Sequence, residues 1–341
     1  MTTPASGAGT TRSRSRWWWV LGGAAYGLGL RVLFGVLPAS YQGVMSSAFV
    51  LGTPFVLGAL TVYGQRHHPR TWSSMIVTPW ITVGLMLLGC AVTLLEGSIC
   101  LAIMSPLFLA LGSLGGLAMG VALRLLGGHR TELRAVAALP LLLLLIDGYI
   151  PLHDARQVVR RSMVIDAAPA VVWDEILDAR AIRAEELPWS LTHAIGVPKP
   201  VEGVNIATPD GEVRYSKWER GVHFRGVVTS RRPHRSIRWR YAFDEDSFPA
   251  GSMDDHVAIG GRYFDLQDTT LNLQPLPGNR TRLEIVAHYR VSSSINFYAL
   301  PVAKLVGTDF VDTILGLYKG RSERAVHRPG IARRPQSANG T

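Results

Sequence analysis

The sequence predicts an α-helical transmembrane bundle followed by a separate α+β domain. Three observations support this: long apolar stretches fill the first half of the chain, alternating apolar and charged residues fill much of the second half, and an amphipathic segment closes it. Hydrophobic residues make up 48% of the 341 residues, and the mean hydropathy is positive. That composition is too apolar for an ordinary soluble chain, so the two halves are expected to face different solvents.

Four apolar stretches are each long enough to cross a bilayer, for which a helix needs about 20 residues. They occupy residues 17–37, 46–64, 76–95 and 99–123. A fifth, at 135–151, contains Pro140 and reaches only about 25 Å as a helix, which makes it a marginal span. The sequence therefore predicts a basic cytoplasmic tail at 1–16 and a transmembrane region of four to five helices at 17–151.

The positions of positive charge predict the orientation, because loops rich in Lys and Arg stay in the cytoplasm. The arginines that flank the spans all fall on one side of the bundle: Arg12, Arg14, Arg16, Arg66, Arg70, Arg124, Arg130 and Arg134. The amino terminus is thus predicted to be cytoplasmic. Five crossings place the polar domain on the outer face, periplasmic or extracellular, which is the favoured expectation; a fifth segment that only dips into the bilayer would leave it in the cytoplasm.

Arg31 interrupts the first span, and a charge inside a membrane is costly unless it is paired. The predicted topology puts Arg31 in the same half of the bilayer as Glu96 and Asp147. We therefore expect an ion pair of Arg31 with Glu96 or with Asp147. A single arginine and two carboxylates do not make a proton relay, so locking the helices together is the preferred role.

The polar half, residues 152–325, has the periodicity of a sheet and a long helix. Apolar residues alternate with charged ones at Ile237 to Phe243 and at Leu283 to Tyr289, which predicts strands with one apolar face. The segment Asn296 to Arg321 carries apolar residues at helical spacing. We expect this amphipathic helix to lie across the apolar face of an antiparallel sheet.

The motif IDAAPAVVW at 165–173, the strand order and the closing helix together resemble the START-like superfamily, also called SRPBCC or polyketide cyclase-like, whose fold is the helix grip. The resemblance covers residues from about 157 to 325. It implies an apolar cavity between sheet and last helix that binds a lipid, a polyketide or another hydrophobic small molecule. Eight aromatic side chains are candidates to line such a cavity: Trp189, Trp239, Tyr241, Tyr263, Tyr289, Phe297, Tyr298 and Phe310.

Chemistry beyond binding has little support in the sequence. His256, which follows two aspartates, is a weak candidate for a catalytic base. The familiar nucleophile, phosphate-binding and zinc-protease motifs are missing, and we expect no metal and no cofactor. The chain carries a net charge of +10, but it lacks the basic stripe interleaved with aromatics that nucleic-acid binders carry, so no nucleic-acid partner is expected.

Three functions remain open at this point. The first is a membrane-anchored protein that binds a hydrophobic ligand without catalysis, with the bilayer and a small molecule as its partners. The second is a cyclase or hydrolase-like enzyme on a hydrophobic substrate that uses His256. The third is a structural or sensory membrane protein with no ligand, whose basic rim of Arg231, Arg232, Arg235 and Arg238 meets another protein. Residues 326–341 are predicted to be a disordered tail.

Overall fold

The computed structural model describes residues 9–37, 43–66, 71–126, 130–147, 149, 151–254 and 258–327. These residues divide into two compact units. The first is helical and takes in the chain up to Asp154 with two short later segments; the second contains the sheet and takes in the rest. The division falls close to the boundary that hydropathy predicts, because the apolar stretches end there.

The helical unit contains five α-helices within the described residues. They are α1 (Gly9–Gly35), α2 (Thr53–Gly64), α3 (Trp72–Val92), α4 (Ser98–Leu126) and α5 (Arg130–Asp147), and a π-helical turn at Ala48–Gly52 leads into α2. Each covers one of the predicted apolar stretches. Two of them, Trp72–Val92 and Ser98–Leu125, are long and apolar enough to cross a membrane. Helix α1 begins at Gly9, inside the segment predicted as a tail.

Small residues let α2 and α4 approach each other closely. A Cβ atom added at Gly115 would overlap the carbonyl oxygen of Phe55, and one added at Gly58 would overlap the carbonyl oxygen of Gly112. Close backbone approach of this kind is a common way for membrane helices to associate. The glycines of α4 therefore serve packing inside the unit.

The second unit is built on one sheet of eight strands within the described part of the chain. The strands are β1 (His153–Ile165), β2 (Asp178–Ala179), β3 (Pro200–Thr208), β4 (Gly211–Trp218), β5 (His223–Arg232), β6 (Ser236–Ala242), β7 (Phe264–Leu276) and β8 (Arg280–Ser293). Their order is β1-β8-β7-β6-β5-β4-β3-β2. The pairs from β2 to β8 are antiparallel, as the short spacing of the strands predicts.

Three α-helices complete this unit within the residues that the structure describes: α6 (Pro169–Leu177), α7 (Leu191–Ala194) and α8 (Asn296–His327). Pro169 opens α6 at its first position, where the missing N–H would have had no partner in the helix. Helix α8 packs its buried face, which includes Leu315 and Tyr318, against the apolar face of β6, β7 and β8. A curled antiparallel sheet closed by a long carboxy-terminal helix is the helix-grip topology.

The predicted strand faces are confirmed. Ile237 and Trp239 are buried at 0% and 4% exposure, whereas Arg238 and Arg240 between and beyond them are exposed. Helix α8 ends at His327, two residues inside the segment predicted as a disordered tail. The remainder of that segment, 328–341, lies outside the described residues.

Candidate functional site

The interior of the sheet unit changes in character along α8. Near the carboxy-terminal half of α8 it is a solid core, in which Leu315 and Ile237 are completely buried. Toward Phe310 and the amino-terminal half of α8, the side chains that face the sheet are only partly buried. The same trend runs along β6, from Ile237, which is fully buried, to Tyr241, which is not. The interior is therefore less completely buried at that end than near Leu315.

Aromatic rings occupy that end. Trp218 lies 5.2 Å from Phe224 and 5.3 Å from Phe310 between ring centroids. Phe224 lies 5.7 Å from Tyr241, whose ring stacks on Phe243. We call this group the aromatic cluster: Trp218, Phe224, Tyr241, Phe243, Phe248 and Phe310. Of its members only Phe224 is buried; the other five keep accessible surface.

Tyr241 contributes a buried phenol to the aromatic cluster. Protein surrounds its phenol, and this burial raises the pKa of Tyr241 above its ordinary value. Its hydroxyl lies 2.9 Å from the hydroxyl of Thr269. The residue as a whole nevertheless keeps some accessible surface.

Arg214, on β4, places a positive charge in the same interior. It is only 7% exposed, and its guanidinium carbon lies 4.9 Å from the centroid of the Trp239 ring. Nη1 donates to the carbonyl of Ile176 at 2.7 Å and to the side-chain oxygen of Asn205 at 2.8 Å. Nη2 donates to the hydroxyl of Tyr318 at 3.0 Å. All of these acceptors are neutral.

His193, on α7, contributes an unused acceptor. Its Nδ1 lies 3.0 Å from the carbonyl oxygen of Val197, and a carbonyl only accepts, so Nδ1 carries the proton of the neutral ring. Burial lowers the pKa of His193 below its ordinary value, although the Val197 carbonyl opposes the shift. Nε2 is buried and has no hydrogen-bond partner in the described part of the chain. The ring packs edge-on against Phe310 at 6.0 Å.

Asp309, on α8, holds α7 in place. Its carboxylate accepts hydrogen bonds from the hydroxyl of Ser190 at 2.7 Å, the amide of Leu191 at 3.2 Å and the amide of Thr192 at 2.8 Å. Partial burial works to raise the pKa of Asp309, but hydrogen bonds from Thr192, Ser190 and Leu191 outweigh it and hold that pKa below its usual range. The position of His193 beside Phe310 therefore depends on this carboxylate.

The structure distributes the eight predicted lining residues over different environments. Tyr241 and Phe310 belong to the aromatic cluster, Trp239 and Tyr289 lie in the core at 4% and 3% exposure, and Tyr263 and Tyr298 are half-buried. Trp189 and Phe297 are 82% and 69% exposed, so their assignment to an enclosed cavity is corrected. Trp189 lies in a segment without periodicity, which gave no face to assign. Phe297 lies at the start of α8 and off its buried stripe, which the helical spacing of that segment could have indicated.

Several residues of this interior were not predicted from the sequence. Trp218 and Phe224 lie on β4 and β5, where the alternation of residues along each strand could have assigned them to the inner face. Arg214 alternates with Ser216 and Trp218 on the inner face of β4, but a charged residue in a strand ordinarily marks the wet face. His193 gave no signal, because its role depends on the contact of α7 with Asp309.

In the helical unit, Arg31 pairs with Glu96. Nε of Arg31 lies 2.5 Å from Oε1 of Glu96, and the two side chains are 10% and 11% exposed. Asp147 does not take part; it accepts hydrogen bonds from the hydroxyl of Ser47 and the amide of Ala48 instead. The pair borders a small, partly open cavity of about 30 Å³, lined mainly by apolar side chains.

No group of three His, Cys, Asp or Glu side chains suited to a metal ion occurs among the residues that the structure describes. His256, the weak candidate for a catalytic base, lies outside those residues. The enzyme hypothesis built on it stays a prediction.

No protein-family model matches the chain, and no curated protein matches it. Among solved structures, the Zhui aromatase/cyclase from Streptomyces sp. R1128 is 15% identical, with a TM-score of 0.33, over 50% of this chain and 96% of that one. A START superfamily protein from Mycobacterium smegmatis is 13% identical, with a TM-score of 0.33, over 49% and 98%. A norcoclaurine synthase point mutant from Thalictrum flavum is 9% identical, with a TM-score of 0.31, over 51% and 98%. The helix-grip assignment rests on the strand order and on α8, not on these similarities.

Proposed function

We propose that the sheet unit binds a hydrophobic small molecule between its inner face and the amino-terminal half of α8, and that the helical unit anchors the chain in a membrane. The observation that carries the binding proposal is the aromatic cluster, whose rings pack against one another but mostly keep accessible surface. Aromatic residues that only fill a core are normally covered by their neighbours. We expect a bound molecule to cover the accessible surface of the aromatic cluster.

The free energy gained when a ligand buries these aromatic surfaces is sufficient for binding. Burial of apolar surface contributes about 25 cal/mol for each Å² removed from water, so that about 200 Å² of newly covered ring and ligand surface contributes about 5 kcal/mol. Nε2 of His193, which has no hydrogen-bond partner among the described residues, lies on a ring beside Phe310 and would accept a hydrogen bond from a hydroxyl on the guest. This combination of apolar walls with few polar groups is typical of small-molecule sites.

Ligand binding is tested by placing a larger side chain in the proposed site, a change that removes no group that would contact the ligand. Ser216 alternates with Arg214 and Trp218 on β4 and is paired with Phe224 on β5, so its side chain points to the inner face. We expect Ser216→Leu to lower binding at least about tenfold, since a misfit of a few methylene groups costs about 1–3 kcal/mol. The neighbouring Lys217→Leu, on the outer face, is the control and is expected to bind as the unchanged protein does.

The measurement uses the full chain purified in a mild nonionic detergent. Solvent extraction and mass spectrometry of the protein identify any hydrophobic molecule that co-purifies with it, and titration with that molecule gives its affinity for each variant. Equal affinity of both variants, or no molecule retained by the unchanged protein, contradicts the proposal. Conversion of the molecule during incubation would identify an enzyme instead of a carrier.

The membrane part of the proposal is supported by α3 and α4, which are long and apolar enough to span, and by the one-sided arginines. We further propose that the sheet unit lies on the outer face. Asp210 is exposed in the turn between β3 and β4, and the native Cys90 and Cys100 are buried. Asp210→Cys is therefore expected to react with a membrane-impermeant maleimide on intact cells, whereas Ser6→Cys in the amino-terminal tail reacts only after permeabilisation. The opposite pattern overturns this orientation.

A further inference from the structure

Arg214 is a buried positive charge without a counter-charge among the described residues. Its acceptors are a backbone carbonyl, an amide oxygen and a phenol hydroxyl. A buried arginine ordinarily faces a carboxylate, because an uncompensated charge in a protein interior is costly. The neutral acceptors orient the guanidinium but leave its charge unbalanced. We propose that this charge receives the anionic head group of the bound molecule, a carboxylate, and that the ligand is therefore an amphiphile with an acidic head and an apolar body. This inference rests on the proposed binding function.

The free edge of the Arg214 guanidinium has the geometry that a carboxylate needs. Nε of Arg214 has no acceptor among the described residues, and Nη2 uses one of its N–H groups on Tyr318. The same edge, Nε with Nη2, binds a carboxylate elsewhere in this chain. Arg161 holds both oxygens of Asp312 at 2.8 and 2.9 Å, and Arg238 holds both oxygens of Asp268 at 3.2 and 3.0 Å. A planar carboxylate is thus favoured over a cationic or neutral head.

The position of Arg214 sets the direction of the ligand. Arg214 is paired in register with Gly226, and Gly226 with Tyr241, so that Arg214 and Tyr241 lie in one row on the inner face, about 10 Å apart at their Cα atoms. Gly226 between them has no side chain, and the ring of Trp239 lies against it. Arg214 also reaches Tyr318 in the solid core. The head group therefore lies at the deep end, and the apolar body extends along the aromatic cluster toward Phe310.

The first test compares three molecules that share one ten-carbon chain: decanoate, decanol and decylamine at neutral pH. Each is titrated calorimetrically into the full chain in nonionic detergent, below the concentration at which the ligand forms micelles. A charged hydrogen bond contributes about 1.5–3 kcal/mol, so decanoate is expected to bind about tenfold to a hundredfold more tightly than decanol. Decylamine is expected to bind most weakly. This series needs no variant and so does not depend on how a substitution affects folding.

The second test assigns the preference to Arg214. Arg214→Met is expected to abolish the advantage of decanoate over decanol while decanol still binds, and Arg214→Lys is expected to keep part of it. Arg225→Met is the matched control. Arg225 lies on the neighbouring strand β5, pairs with Asp244 at the surface and has a side chain that is 47% exposed. The preference for decanoate over decanol should therefore remain in this variant.

The outcomes separate the two proposals. Equal affinity for all three molecules, or a preference for decylamine, overturns the head-group assignment and leaves the proposed binding function standing. Absence of binding by all three in the unchanged protein overturns both. A decanoate preference that survives in a folded Arg214→Met protein overturns the role of Arg214.

Discussion

Replacing Arg31 by Glu, or Glu96 by Arg, is expected to lower the stability of the helical unit by about 3–5 kcal/mol, because either change leaves two like charges in a nearly dry site. The two side chains are 10% and 11% exposed and lie 2.5 Å apart. Nη2 of Arg31 also donates to the carbonyl of Leu95 at 2.6 Å. The pair thus ties α1 to the connection between α3 and α4.

The double exchange, Arg31→Glu with Glu96→Arg, restores opposite charges and is expected to recover most of the loss. Stability is measured by thermal unfolding of the full chain in detergent, followed by size-exclusion chromatography. Arg134→Glu, at an exposed arginine of α5, serves as the control and should change stability by no more than about 0.5 kcal/mol. A double variant no more stable than the worse single variant would show that the pairing is not what stabilises the unit.

The second large effect is expected at Asp309. Asp309→Ala leaves the Ser190 hydroxyl and the amides of Leu191 and Thr192 without their acceptor. The loss is expected to be about 2–3 kcal/mol, the contribution of hydrogen bonds to a charged group. It should appear as local opening of α7, measured by hydrogen exchange of its amides in the full chain. Because His193 rests on Phe310, opening of α7 also uncovers part of the aromatic cluster.

The effect of Asp309 should depend on pH in a defined direction. The pKa of its carboxyl is lowered in the folded protein, so its contribution is complete above the ordinary Asp pKa of about 4 and is lost as the pH falls through the lowered value. The difference in hydrogen exchange between the unchanged protein and Asp309→Ala should therefore shrink on acidification. Asp312→Ala is the control, since the Asp312 pair with Arg161 is solvent-exposed and contributes about 1 kcal/mol at most. A pH-independent difference would argue against the carboxylate as the cause.

Much of the fold was predictable because its signals are local. Hydropathy located the apolar helices, alternation at Ile237 and Trp239 assigned the strand faces, and Pro169 marked the start of α6. Each of these signals is carried by residues within one element, and each reports which face of that element avoids water. A carboxylate partner for Arg31 could be predicted for the same reason, because the free-energy cost of its charge follows from its position within an apolar span.

The site itself depended on contacts between residues far apart in the chain. Arg214 meets Tyr318, and Asp309 meets the segment that begins at Ser190, across separations of 104 and 119 residues. Periodicity would have assigned Arg214 to the wet face, and it had no basis for placing Trp189, which proved exposed. The sequence by itself determined which elements form and which faces are apolar. Only the tertiary structure decided that aromatic side chains of β4, β5, β6 and α8 contact one another and that Arg214 is buried among neutral acceptors, because these contacts arise from packing between elements and no single element encodes them.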